Sequence, residues 1–207
     1  MVEKVHHYIS YIFHPILVPM VGTLLFFIVA PYHIPKEFAY RVILLTFVLT
    51  YIFPLLMLFF LKKINLIENY QLPSINERKF PLLFVAIICL TMGKLLLRTD
   101  AVDLLAYSFF ASALSLILTY LFFFKNIKSS MHTMGIAGLI TFLSIISYSF
   151  KINLLLLIFL SFLLLGIVST SRLKLEAHSV KEIFIGIFIG IVSQLIIYFT
   201  FVMNYNM

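Results

Sequence analysis

The sequence predicts an all-α fold, a polytopic transmembrane helix bundle of about six to seven spans, and three observations lead there. Apolar residues make up 63% of the 207 positions and charged residues only 11%, far from the balance of a soluble domain. Apolar runs of about 18 to 22 residues recur along the chain, each long enough to cross the hydrocarbon layer as a helix. The polar residues collect in short connections between those runs, leaving no stretch for a soluble domain. Residues 1–207 therefore read as a single membrane-embedded domain, with two N-terminal spans within 11–61 and a second block over 71–203.

Composition also excludes several functions. The net charge of +7 would suggest nucleic acid in a soluble chain, but here the basic residues lie in connections where they meet lipid phosphates. The expected partner is the lipid bilayer, and nucleic acid is rejected. Cys89 stands alone inside an apolar run, which fits a buried packing residue and permits no intrachain disulfide. Tryptophan is absent, so tyrosines such as Tyr8, Tyr32, Tyr70 and Tyr198 are left to form the interfacial belts. No Cys/His zinc pattern, Gly-rich phosphate loop or dinucleotide fingerprint occurs, so neither cofactor nor metal is expected. Nothing in the pattern of residues specifies an oligomeric state.

The elements follow in order. A short polar N-terminus, Met1 to Ser10, precedes a first span over Tyr11–Tyr32, whose His14, Pro15 and Pro19 predict a bent or partly unwound start. His6, His7 and His14 lack a nearby carboxylate or thiolate and do not read as a metal site. The second span covers Arg41–Leu61 and is broken at Pro54; a long polar connection, Lys62 to Phe80, follows, either a solvated loop or a phosphate-contacting lid. The third span is Pro81–Leu97. Asp100 and Asp103 lie in the next turn and are too few to hold a divalent ion. The fourth span is Leu104–Phe124 and the fifth Thr133–Phe150, entered through a basic connection in which Ser130 and His132 stand beside a helix N-terminus suited to phosphate. Gly135 and Gly138 would admit another backbone there. A sixth span ends near Thr170 and a seventh covers Ile183–Met203, with Gly186 and Gly190 as a small-xxx-small packing step.

The connection Ser171 to Glu182 gathers most of the polarity of the C-terminal third. Arg172 offers a planar fork of donors matched to phosphate oxygens, and His178 an imidazole. Glu182 falls at i+4 from His178, so a helix from about Ala177 would put the two on one face. The carboxylate would then take the proton of one ring nitrogen and leave the other as a free lone pair. The bland alternative is an interfacial loop whose Lys174, Glu176, Lys181 and Glu182 form a solvated charge cluster.

The spacing Ser-Arg, five residues, His, three residues, acid resembles the third signature of the type 2 phosphatidic acid phosphatase and haloperoxidase superfamily, with Glu182 where Asp is usual. Its second signature, Pro-Ser-Gly-His, corresponds to Ser129-Ser130-Met131-His132, which keeps Ser130 and His132. Its first, Lys, six residues, Arg-Pro, corresponds to Gln71 and Arg78, followed by Lys79 and later Pro81; the Arg is kept and the Lys is lost. The resemblance spans Gln71 to Glu182 and implies a core like that of the family's membrane lipid phosphatases.

It further implies a lipid phosphate or pyrophosphate substrate and a metal-independent phosphohistidine mechanism. His178 would be the nucleophile, Glu182 would fix its tautomer, and His132 would be the general acid and base. Arg78, Arg172, Ser130, Ser171, Gln71 and Lys79 would line the phosphate, with Lys79, Lys125 or Lys128 in place of the missing lysine. Two spans separate Arg78 from His132 and two more separate His132 from Arg172, so these connections emerge on one side of the membrane. That side carries ten of the fifteen Lys and Arg, which points to the cytoplasm, whereas the resemblance points to the outer face of a bacterial inner membrane. Met131, bulky where the family has glycine, and Gln71 keep a second reading open: a catalytically inactive homologue acting as a lipid-phosphate binder or scaffold. Transport fits less well, because no acid lies deep in any span.

Overall fold

The computed structural model describes residues 2–70, 72 and 74–202, and of residues 2 and 3 the backbone only. All regular structure among the described residues is helical, and seven of the helical segments are long and apolar enough to cross a membrane. Helix α1 (Val2–Ile12) stops at Phe13 and His14, and a 3-10 turn, Pro15–Leu17, leads into α2 (Val18–Val29). The first span thus begins at Lys4, and the short polar N-terminus expected from sequence is itself helical. The expected bend is present: His14 caps the turn, its Nδ1 accepting the amide of Ile16 at 3.3 Å, and Pro15 starts it.

The second span holds α3 (Lys36–Phe47), a π turn over Val48–Ile52, and α4 (Phe53–Lys63). Pro54 does not break it; the widened turn just before Pro54 takes up the lost amide and the ring clash. Helix α5 (Ile75–Leu96) begins six residues earlier than Pro81 suggests. Ser74 accepts the amide of Glu77 as N-cap, and Pro81 is carried inside the helix, so Arg78 and Lys79 belong to its first turns and not to a loop. Helices α6 (Asp103–Phe123), α7 (Met131–Phe150), α8 (Leu155–Lys174) and α9 (Val180–Ile197, extended by a π turn to Val202) complete the bundle; Met203 lies outside the described residues.

Helix–helix association in lipid depends on close packing. Gly186 and Gly190 of α9 lie directly on α7: a Cβ on Gly186 would stand 2.5 Å from the Ser130 carbonyl oxygen, and one on Gly190 would collide with the Met134 carbonyl. Gly138 meets Gly190 backbone to backbone, whereas Gly135 makes room for the Val18 side chain. Many hydroxyls within the spans return to their own helix, as Ser112 does to Ser108, Thr141 to Ala137 and Ser144 to Ile140, and so expose little polarity to lipid. Phe26, Met92, Leu105, Phe109, Leu143 and Ile146 form the central core, and Cys89 is buried beside them.

Candidate functional site

The sequence ends α8 and starts α9 within five residues, and both ends have a local cause. Glu176 adopts a left-handed conformation (φ 50°), and the Ala177 amide returns to the Arg172 carbonyl at 3.1 Å, which reverses the chain after the last turn of α8. Ser179 then caps α9: its hydroxyl accepts the Glu182 amide at 3.3 Å, and its own amide donates to Glu182 Oε2 at 3.1 Å. The same Oε2 accepts from His178 Nδ1 at 2.9 Å. The pair expected at i+4 forms, but by a different route: His178 precedes the helix, which starts at Val180 and not near Ala177, and the capping box turns Glu182 back to meet it.

This contact fixes the imidazole. A carboxylate only accepts, so Nδ1 carries the proton and Nε2 keeps its lone pair. His178 is 7% exposed. Burial pushes it down to about 4, the charges of Arg78 and Arg172 push the same way, and the Glu182 hydrogen bond works against them. At neutral pH the ring is therefore an uncharged base with one free nitrogen.

Two arginines flank it. Arg78, also 7% exposed, donates from Nε to the Leu72 carbonyl at 2.7 Å. That carbonyl is presented by a left-handed Leu72 (φ 50°), whose side chain packs with Leu61 and Ile67. Arg172, in the last turn of α8, donates from Nη1 to Ser10 Oγ at 3.2 Å, and its buried Nε has no hydrogen-bond partner. Neither Arg78 nor Arg172 takes part in an ion pair such as those of Arg41 with Glu37 and of His178 with Glu182, and among the described residues neither has a carboxylate within ion-pair distance.

Helix α7 brings its N-terminus to the same place. The Ser130 amide donates to the Glu182 carbonyl at 3.1 Å, and Thr133 Oγ1 reaches the carbonyls of Ser130 and Ile183, which ties α7 to the first turn of α9. Ser130 caps α7 and is fully buried, its hydroxyl accepting the Thr133 amide and its own amide already engaged with Glu182, so its polar groups are committed to structure. His132 Nε2 meets the Ser10 carbonyl at 3.2 Å. A carbonyl only accepts, so here Nε2 carries the proton.

His178, Glu182, His132, Arg172 and Arg78 thus gather at one end of the bundle. Ser171 and Lys79 have their polar groups engaged on their own helices. Ser171 is buried with its hydroxyl donating to the Ile167 carbonyl at 3.0 Å, and it also meets His6 Nδ1 at 3.2 Å. Lys79 Nζ donates to Asn76 Oδ1 at 3.0 Å, one turn back on its own helix. Gln71 lies outside the described residues.

Sequence reasoning missed the N-terminal contribution, Ser10 and His14. The signal was present: His6, Ser10 and His14 recur every four residues, the spacing of one helix face. Among the described residues no group of three or more His, Cys, Asp and Glu is placed to hold a metal ion. No protein-family model, curated protein or solved structure matches the chain.

Proposed function

We propose that the protein is a membrane-embedded phosphatase that hydrolyses a lipid phosphate or pyrophosphate through a phosphohistidine, as its resemblance to the type 2 phosphatidic acid phosphatase and haloperoxidase superfamily implies. The observation that carries this reading is His178: Nδ1 is held on Glu182, Nε2 is left as a lone pair, and the ring lies beside two arginines without carboxylate partners. Nε2 attacks phosphorus, and the bond from phosphorus to the lipid oxygen breaks as the leaving oxygen takes the Nε2 proton of His132. His132 enters this step doubly protonated, its Nδ1 proton taken up with the substrate, and leaves it as a neutral ring. His132, now carrying a lone pair on Nε2, removes a proton from water. The resulting hydroxide attacks the phosphohistidine and frees inorganic phosphate and His178. Arg78 and Arg172 offset the charge spread over the equatorial oxygens, and Glu182 stabilises the positive ring that forms. No step as drawn uses a metal. The proposed location is the inner membrane of a bacterium.

The non-enzymatic reading, a lipid-phosphate binder, is favoured by one observation. Ser10 occupies both His132 and Arg172, so the leaving oxygen must displace its carbonyl before His132 can act. The deciding experiment is phosphate release from a panel of lipid phosphates and prenyl pyrophosphates by protein purified in detergent with EDTA present. The expected result is release by the wild type that is lost in His178→Ala. Equal silence of two folded proteins across the panel gives the lead to the binder.

A further inference from the structure

Ser10 reports where an anion would sit. One residue satisfies two donors, its carbonyl receiving His132 Nε2–H and its hydroxyl receiving Arg172 Nη1–H, so those donors converge on a volume small enough for one pair of oxygens. A bound phosphate group that displaces Ser10 takes over the same two acceptor positions. His14 borders that volume. Its ring stands edge-on to His132, with centroids 5.4 Å apart and planes at 79°, and it lies within electrostatic reach of Arg172. Because His14 Nδ1 accepts the Ile16 amide, the proton of the neutral ring is on Nε2. That N–H donates to no described residue.

We infer that His14 is a third histidine of the site, which donates its Nε2–H to a non-bridging oxygen of the bound phosphate group. The inference rests on the phosphatase reading and deepens it: the N-terminal span, outside the resemblance, supplies a donor to a site whose first motif has Gln71 instead of lysine. His14 is suited to the task by its backbone setting. It sits in the break between α1 and the 3-10 turn, where its own N-cap bond holds the ring in one orientation. His14 takes no part in proton transfer; it binds phosphate.

The test uses inorganic phosphate as probe, titrated by calorimetry into detergent-purified wild type, His14→Phe, His14→Leu and His14→Gln, with KM and kcat measured on the lipid phosphate turned over fastest. Phe keeps the ring packing without the donor, Leu is a second donor-free variant should Phe not fold, and Gln can accept from Ile16 while donating an amide proton. Loss of a hydrogen bond to a charged group is expected to weaken phosphate binding and raise KM about tenfold or more in Phe or Leu, with kcat little changed. Gln is expected to restore most of the affinity. A purely structural role would instead lower the yield of folded protein or kcat and leave phosphate affinity alone. Wild-type affinity in the donor-free variants, or no phosphate binding by the wild type, overturns the inference even where His178-dependent turnover stands. Turnover unaffected by His178→Ala overturns the phosphatase reading beneath it.

Discussion

Glu182 Oε2 holds two protons in place at once, that of His178 Nδ1 and that of the Ser179 amide, so its variants should separate chemistry from folding. Glu182→Gln keeps an acceptor for both and removes the charge. If the proposed phosphohistidine forms, this variant is expected to fold normally and lose turnover by on the order of 10²-fold, because the positive ring of that intermediate loses its counter-charge. Glu182→Ala also breaks the capping box and is expected to destabilise the protein by about 1 kcal/mol, read as a lower unfolding temperature in detergent. Acid adds a second test at His178. Its folded pKa, near 4, lies below the unfolded value of about 6.5. Between those values the unfolded chain binds a proton that the folded chain does not. The stability tied to neutral His178 is therefore complete above about pH 6.5 and drains away as pH falls toward 4. Thermal unfolding across that interval is expected to fall more steeply for wild type than for His178→Asn, while turnover by the wild type persists to about pH 5. Arg172, His178 and Glu182 were legible in the sequence because their spacing encodes one short reversal between two helices. The commitment of Ser130 was not, since the partner of its amide, the Glu182 carbonyl, is 52 positions away.

At the scale of elements, the chain uses its glycines in an unusual division of labour. No glycine among the described residues has a positive φ; the left-handed positions after α4, α6, α7 and α8 fall to Asn65, Asn126, Lys151 and Glu176. Gly186 and Gly190 go instead to the contact with α7. Glu176→Gly is therefore expected to stabilise the protein by about 1 kcal/mol, since an L residue in that conformation clashes with its own Cβ. Gly186→Ala is expected to do the reverse. Its methyl would meet the Ser130 carbonyl at 2.5 Å and Thr133 Oγ1 at 2.8 Å, forcing α9 off α7 where His178, Glu182 and His132 must stay in register. Gly166 of α8 has nothing within 4 Å of an added methyl, so Gly166→Ala is the control, expected to be neutral or mildly stabilising. The early start of α5 was half legible: Ser74 and Glu77 have capping spacing, but Pro81 reads as a boundary because a proline within a helix needs tertiary support that sequence does not display.

At the scale of the whole molecule, α7 is the axle. In its membrane window 61% of the residues are buried, against 11% for α8, and its N-terminus meets α9 and the end of α1. Every candidate site residue that gathers lies at that end of the bundle, as an even number of spans between connections requires. Seven spans make the count odd between Lys4 and Val202, so those two residues lie on opposite faces. Single cysteines in a Cys89→Ser background test this directly. Lys125→Cys and Lys174→Cys are exposed at the site end, and Lys36→Cys and Asn153→Cys at the other. A membrane-impermeant maleimide added to sealed vesicles of one orientation is expected to label one pair and spare the other, with the pattern exchanged in inverted vesicles. Labelling of Lys125→Cys together with Lys36→Cys from one side would break the parity on which the site depends. The pair that reacts from outside also decides which of two opposing pulls prevails. The excess of Lys and Arg draws the site end toward the cytoplasm, but Arg78 and Arg172 are held there by the site and say nothing about insertion.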